Sequence, residues 1–220
     1  WNYIHLKKKK MSLKCGIVGL PNVGKSTLFN ALTAAGIEAQ NFPFCTIEPN
    51  KGIVPVPDPR LLKIANIVNP DKVIPTTVEF VDIAGLVKGA SEGEGLGNKF
   101  LSHIRETQAV IHVVRCFENT DITHVHDQIN PVLDLETVET ELLLADLETL
   151  QNAINKLEKA SRSGDKEILI SKQKYEDLST DLNKGIMGRD SDNFVGNEDH
   201  FKDLQLITVK PCLYVANVEE

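Results

Sequence analysis

The sequence has no apolar run near the roughly 20 residues that a bilayer-spanning helix needs, which excludes such a helix. It has only four cysteines, far apart, with no C-x-x-C pair and no metal-like spacing. That argues against a zinc ribbon or a disulfide framework and reads Cys15, Cys116 and Cys212 as reduced thiols packed in apolar central strands. Basic charge is in deficit, 24 Lys and Arg against 31 Asp and Glu, for a net charge of -7. Coating nucleic acid through overall charge is therefore excluded as a role, although a local basic patch survives the objection. The chain also lacks a Met at its start, opening instead on Trp1-Asn2-Tyr3-Ile4-His5-Leu6 and a run from Lys7 to Lys10. A secretory signal places its charges before an apolar core, and here that order is reversed. Residues 1–10 are expected to be a non-native or upstream extension, with Met11 as the natural start. The lysine run reads as a solvated tail, with a grip on RNA as the alternative.

What is present is Gly19-Leu20-Pro21-Asn22-Val23-Gly24-Lys25-Ser26, which fits G-x-x-x-x-G-K-[ST]. Each residue type has a physical task. Gly19 and Gly24 permit backbone angles that let successive N–H groups turn inward around an anion. Lys25 brings a mobile positive charge to β- and γ-phosphates, the Ser26 hydroxyl can ligate Mg²⁺, and the helix that follows aims its positive dipole end at the same phosphates. The context agrees with the motif. Leu13 to Val18 is a short apolar run suited to a buried parallel strand, and Thr27 to Thr33 carries Leu28, Ala31 and Leu32 at helical spacing. Asn22, Val23, Gly24, Lys25, Ser26 and Thr27 are the candidate nucleotide-binding residues of this loop.

At 220 residues the chain has room for one domain with a sizeable insertion. The Pro- and Asn-rich stretch from Asn41 to Asn50 is placed as a switch loop, and Thr46 is its candidate Mg²⁺ ligand. Lys51 to Pro55 reads as an edge strand, Leu61 to Val68 as a helix, and Thr77 to Val81 as a strand that ends on Asp82-Ile83-Ala84-Gly85. At that place D-x-x-G supplies a carboxylate toward Mg²⁺ and a glycine N–H toward the γ-phosphate. Leu86 to Asn98, rich in glycine, is expected to form a mobile lid. Lys99 to Glu106 reads as a helix, Ala109 to Cys116 as a buried strand, and Asn119, Asp121, His124 and His126 fall in the loop after it. In 131–205 charge of both signs accompanies apolar residues at coiled-coil spacing: Leu143, Leu147, Leu150, Ile154 and Leu157, then Ile168, Ser171, Tyr175, Leu178 and Leu182. This predicts an antiparallel helical hairpin turning at 161–165, with helices lying on the sheet as the alternative. Gly185 to Asn197 is expected to be a poorly ordered loop, and Leu206 to Ala216 a strand. The fold class is α/β, a P-loop nucleotidase with a mostly parallel, helix-flanked sheet formed by 11–130 and 206–220 and a helical insertion at 131–205.

The chain closes on Asn217-Val218-Glu219-Glu220, where guanine-specific switches carry N-K-x-D. Val218 stands in place of lysine and Glu220 in place of aspartate. The longer carboxylate displaces both acceptors by one methylene and undoes pairing with guanine, and adenine brings no N1–H or N2 donors to satisfy. ATP is therefore favoured over GTP, because an unpaired buried carboxylate is costly. Asn217 and Glu220 are the base-side candidates.

These marks, with Asn41 to Pro49, Asp82 to Ala90, Asn98 to Thr107 and Arg115 to Asn119, resemble the YchF or Obg-like ATPase family, a branch of the GTPase superclass. The resemblance covers residues 11–220. It implies a cytoplasmic ATPase whose C-terminal TGS domain and last strand and helix of the nucleotide domain are missing here, and a partner in the ribosome or its RNA, with no membrane and no DNA sequence recognition. The motifs themselves put Lys25 and Gly85 in catalytic roles and Ser26, Thr46 and Asp82 around Mg²⁺, the resemblance adds His124, and hydrolysis is expected to be slow. His124 enters because Leu86 stands where a water-aiming Gln is usual. Asn22 either helps bind K⁺ or caps the loop.

Overall fold

The computed structural model describes residues 12–37, 50–83, 96–119, 129–160 and 165–219. Two apolar runs make its centre. β4 (Ala109–Arg115) is buried along nearly its whole length and β1 (Leu13–Val18) from Cys15 onward, as strands flanked on both sides must be. They pair in parallel, and β3 (Thr77–Asp82) and β5 (Cys212–Asn217) extend the sheet in parallel on either side. β2 (Lys51–Pro55) closes one edge antiparallel to β3, where its proline removes no ladder donor. The order is β2-β3-β1-β4-β5, the mostly parallel sheet predicted. Gly16 belongs to this packing, because a Cβ there would come within 2.8 Å of the Ile83 side chain.

α1 (Lys25–Ile37) rises directly from the glycine loop. α2 (Pro59–Val68) has Asp58 as its N-cap, accepting from the Arg60 N–H, and Asn69 in the left-handed conformation at its end. α3 (Leu96–Arg105) begins three residues before the predicted Lys99, inside the stretch expected to be a lid. Phe100, Leu101 and Ile104 of α3 share one core with Ile17, Val18, Val81 and Val113 of the sheet.

The helical insertion combines both expectations. α4 (Pro131–Ala160) and α5 (Lys166–Asn183) fold back on each other. Val138, Leu142 and Ala145, in the first half of α4, pack into the core of the sheet. Leu143, Leu150 and Ile154 instead share a second core with Tyr175, Leu178 and Leu182 of α5. One helix thus lies on the sheet with its first half and forms the hairpin with its second.

Three expectations fail, each for a physical reason. Gly185–Asn197 is packed rather than loose: Met187, Gly188 and Ser191 are buried, and Asp181 of α5 accepts from Ser191 Oγ and Asn193 Nδ2, both at 2.8 Å. The strand predicted from Leu206 begins only at Cys212, because the amides of Ile207 and Thr208 are held by the Asp146 carboxylate of α4 and not by a neighbouring strand. Cys116 is exposed and lies past the end of β4, while Cys212 is half-buried on the edge strand. Arg115 ends β4 by turning its guanidinium onto the carbonyls of Phe117 and Asn119, at 3.2 and 2.9 Å.

Candidate phosphate-binding site

The loop between β1 and α1 holds three residues at positive φ: Gly19 (148°), Asn22 (62°) and Gly24 (98°). At Gly19 a Cβ would collide with the Val113 carbonyl, and at Gly24 with the Asn217 side-chain amide. Both positions therefore need glycine for space as well as for angle. Asn22 takes the left-handed region that Asn tolerates better than most residues, as expected of a turn former. Leu20 and Val23 bury their side chains in the sheet core and anchor the loop from beneath.

Lys25, buried at the start of α1, donates from Nζ to the Leu20 carbonyl at 2.7 Å. Burial lowers its pKa and the nearby Asp82 charge opposes that shift. An ammonium with three donors keeps two for an anion in the loop. Thr27 follows Ser26 in the first turn of α1 and is exposed.

Ser26 Oγ donates to Asp82 Oδ2 at 2.8 Å, so the helix start and the end of β3 meet at one point. The other carboxylate oxygen, Asp82 Oδ1, is buried without a hydrogen-bond partner among the described residues. A buried carboxylate oxygen without a donor is costly unless a cation or water completes it. The donor set is all oxygen, one hydroxyl and one carboxylate, which is the chemistry of a hard cation such as Mg²⁺. These residues fit that ion. Among the described residues no group of three or more His, Cys, Asp and Glu forms a metal cluster.

At the end of β5, Asn217 Nδ2 donates to the Val23 carbonyl at 3.0 Å, and the Asn217 backbone carbonyl accepts from the Cys116 N–H at 2.7 Å. The end of β5 is thereby tied both to the phosphate loop and to the end of β4. Val218 next to it is exposed. Thr46, Gly85, Leu86, His124 and Glu220, and with them the switch loop and most of the glycine-rich lid, lie outside the described residues.

A family model described as "50S ribosome-binding GTPase" matches residues 14–169. The chain belongs to this family. Among curated relatives it is 59% identical over 210 residues to the ribosome-binding ATPase YchF of Pasteurella multocida, a match covering 96% of this chain and 58% of that protein. With the protein of the same name from Escherichia coli O157:H7 it is 57% identical, over the same shares. The solved Schizosaccharomyces pombe YchF GTPase superposes with a TM-score of 0.79 at 36% identity, covering 95% of this chain and 57% of that one. The YchF branch to which the motifs pointed is borne out. The chain spans about three-fifths of the length of the relatives it matches.

The structural roles of several buried charged residues escaped sequence reasoning. Arg115, fully buried at the end of β4, stacks its guanidinium 4.6 Å from the centre of the Phe117 ring and organises the turn after the strand. The sequence marked it only as the start of the Arg115 to Asn119 stretch, which says nothing of the bonds its guanidinium makes. Asp146 and Lys210 form a second polar centre away from the phosphate loop. Asp146 is fully buried and accepts from Ile207 N, Thr208 N and Thr208 Oγ1 at 2.7 to 2.9 Å. Burial raises its pKa against the pull of those bonds and of the Arg105 charge. Its signal was a carboxylate on an otherwise apolar helix face, four residues before Leu150.

Proposed function

We propose that the chain is the nucleotide-binding part of an ATP-hydrolysing switch that works on the ribosome. The observation that carries the reading is the meeting of Ser26 Oγ and Asp82 Oδ2 at 2.8 Å, with Asp82 Oδ1 unpartnered, beside a glycine loop that holds Lys25. Ser26 and Asp82 would hold Mg²⁺, with Thr46 completing its shell. Bound there, the ion would supply charge neutralisation at the β- and γ-phosphates. Lys25 neutralises the same oxygens, and the loop amides together with the start of α1 orient the triphosphate. In the reaction water attacks the γ-phosphorus, the bond to the β,γ-bridging oxygen breaks, and ADP and phosphate leave. Gly85 is assigned the γ-phosphate contact and His124 the aiming of water, a task that Leu86 is chemically unable to perform. Asn22 fits its turn conformation, which favours the loop-cap reading; faster turnover in K⁺ than in Na⁺ would restore the ion-binding one.

Adenine is the proposed base, because Glu220 and Val218 replace the residues that guanine needs. The relatives' names supply the ribosome as partner, and 131–205 is the proposed docking unit; the reading places the protein in the cytoplasm. No helix among the described residues is long and apolar enough to cross a membrane. The test is competition of labelled ATP by unlabelled GTP, with turnover measured in the same samples. ATP outcompetes GTP and is hydrolysed slowly, and His124→Ala lowers turnover without changing ATP affinity. Equal competition would leave a GTP-type switch, and binding without turnover a non-catalytic module.

A further inference from the structure

Asp82 ends β3 on the phosphate side, and the next described element is α3, beginning at Leu96. The far end of that helix is gripped from two directions. Lys210 Nζ donates to the carbonyls of Ile104 and Arg105, both at 2.7 Å and in the last turn of α3, and to that of Thr107 just beyond it at 2.5 Å. Arg105, the last residue of α3, reaches across to α4, donating from Nη2 to Thr149 Oγ1 at 2.8 Å and to the Ala145 carbonyl at 3.3 Å. It also donates from Nη1 to the Gln205 carbonyl at 3.3 Å. The segment that carries Lys210 is in turn bound to α4 through Asp146, by way of Ile207 and Thr208. Three pieces of chain distant in sequence are thus joined at one point.

We infer that this junction passes the nucleotide state from α3 to the helical hairpin, an inference that rests on the nucleotide reading above. A helix clamped at its C-terminal end answers a pull at its N-terminal end in one of two ways. It breaks the clamp, or it carries its partner along. Breaking this one leaves the Arg105 guanidinium and the Lys210 ammonium, both partly withdrawn from solvent, without the acceptors that hold them. Movement of α3 therefore carries α4. Beyond Asp146 that helix runs unbroken to Ala160, roughly 20 Å at the α-helical rise, and it holds α5 through Leu150 and Ile154. A small rotation at Asp146 becomes a larger displacement at the hairpin tip. The device gives a partner seated on the hairpin a reading of the phosphate site without touching it.

The experiment is amide hydrogen exchange on the full chain with and without Mg²⁺·ATP, for the wild type, Arg105→Gln and Thr149→Val. Thr149→Val keeps the shape of the side chain and removes the hydroxyl that Arg105 uses, so it tests the link should Arg105→Gln fold poorly. Binding is measured on the same samples by calorimetry. The wild type is expected to show nucleotide-dependent exchange in α3 and in α4 beyond Asp146 together. The variants are expected to bind ATP as well, respond in α3, and lose the response in α4 and α5. A hairpin response that persists in the variants, or a wild type that binds and responds in α3 alone, overturns the inference. A wild type that does not bind Mg²⁺·ATP removes the nucleotide reading and this inference with it.

Discussion

Asp146 is fully buried and Asp82 only partly so, and the two differ in what has been done with their oxygens. Asp146 has both oxygens filled by donors from Ile207 and Thr208, with Arg105 Nη1 at 3.9 Å. Asp82 has one oxygen held by Ser26 and the other without a described partner. A satisfied buried carboxylate is a strut, because any change leaves groups unpaired. A half-satisfied one, beside a lysine and a glycine loop, is a place for a ligand. The same contrast extends to the two lysines. Lys210 spends its ammonium on three carbonyls, whereas Lys25 spends one donor on Leu20.

The comparison breaks most visibly at the strut. Asp146→Ala is expected to cost about 3–5 kcal/mol of stability, the loss seen when one partner of a buried charged network is removed. Leu144→Ala, on the exposed side of the same helix, is expected to stay within about 0.5 kcal/mol. Urea unfolding of the two variants measures the difference, and similar losses would take Asp146 out of that role.

A second, somewhat smaller effect separates the interior from the phosphate site by pH. His112 on β4 is almost fully buried, and burial, followed by the charges of Arg189 and Lys25, holds its pKa down to about 4. A base with a depressed folded-state pKa binds fewer protons folded than unfolded between that value and about 6.5. Stability is therefore fully present above about pH 6.5 and falls as pH drops toward 4, by about 3 kcal/mol in all for this group. His112→Gln is expected to flatten that part of the profile. An unchanged slope in the variant would assign the acid sensitivity elsewhere.

The smallest effect on stability and the sharpest on function is expected at Lys25. Lys25→Ala should weaken ATP binding by about 1.5–3 kcal/mol, the range for a hydrogen bond to a charged group. Its melting temperature should move far less than that of Asp146→Ala. A large loss of stability with unchanged affinity would reverse the roles of the two centres.

What could be read from the amino-acid order follows the range of the forces involved. The loop from Gly19 to Ser26 is a local backbone device, so its geometry was legible residue by residue. Buried strands at 13–18 and 109–115 were legible as apolar runs. The leucine spacing revealed the hairpin and hid the division of α4 between two cores, because both of its faces are apolar near Leu142 and Leu143. The Asp146 junction was illegible because its partners lie about 60 residues away in sequence, and no local pattern says which amides a lone carboxylate will meet. Asn217 was read as a base-side residue from its motif. Its bond to the Val23 carbonyl, across 194 residues, appears only in the fold.

Calorimetric titration of ATP into the chain, with Mg²⁺ present and then chelated, for the wild type and Ser26→Ala, tests the candidate site most directly. Ser26 and Asp82 as metal holders predict that Mg²⁺ tightens ATP binding to the wild type. They predict that Ser26→Ala loses that gain while retaining the metal-independent part held by Lys25 and the loop amides. Affinity that is indifferent to Mg²⁺ in the wild type, or an equal Mg²⁺ gain in both proteins, would contradict the account.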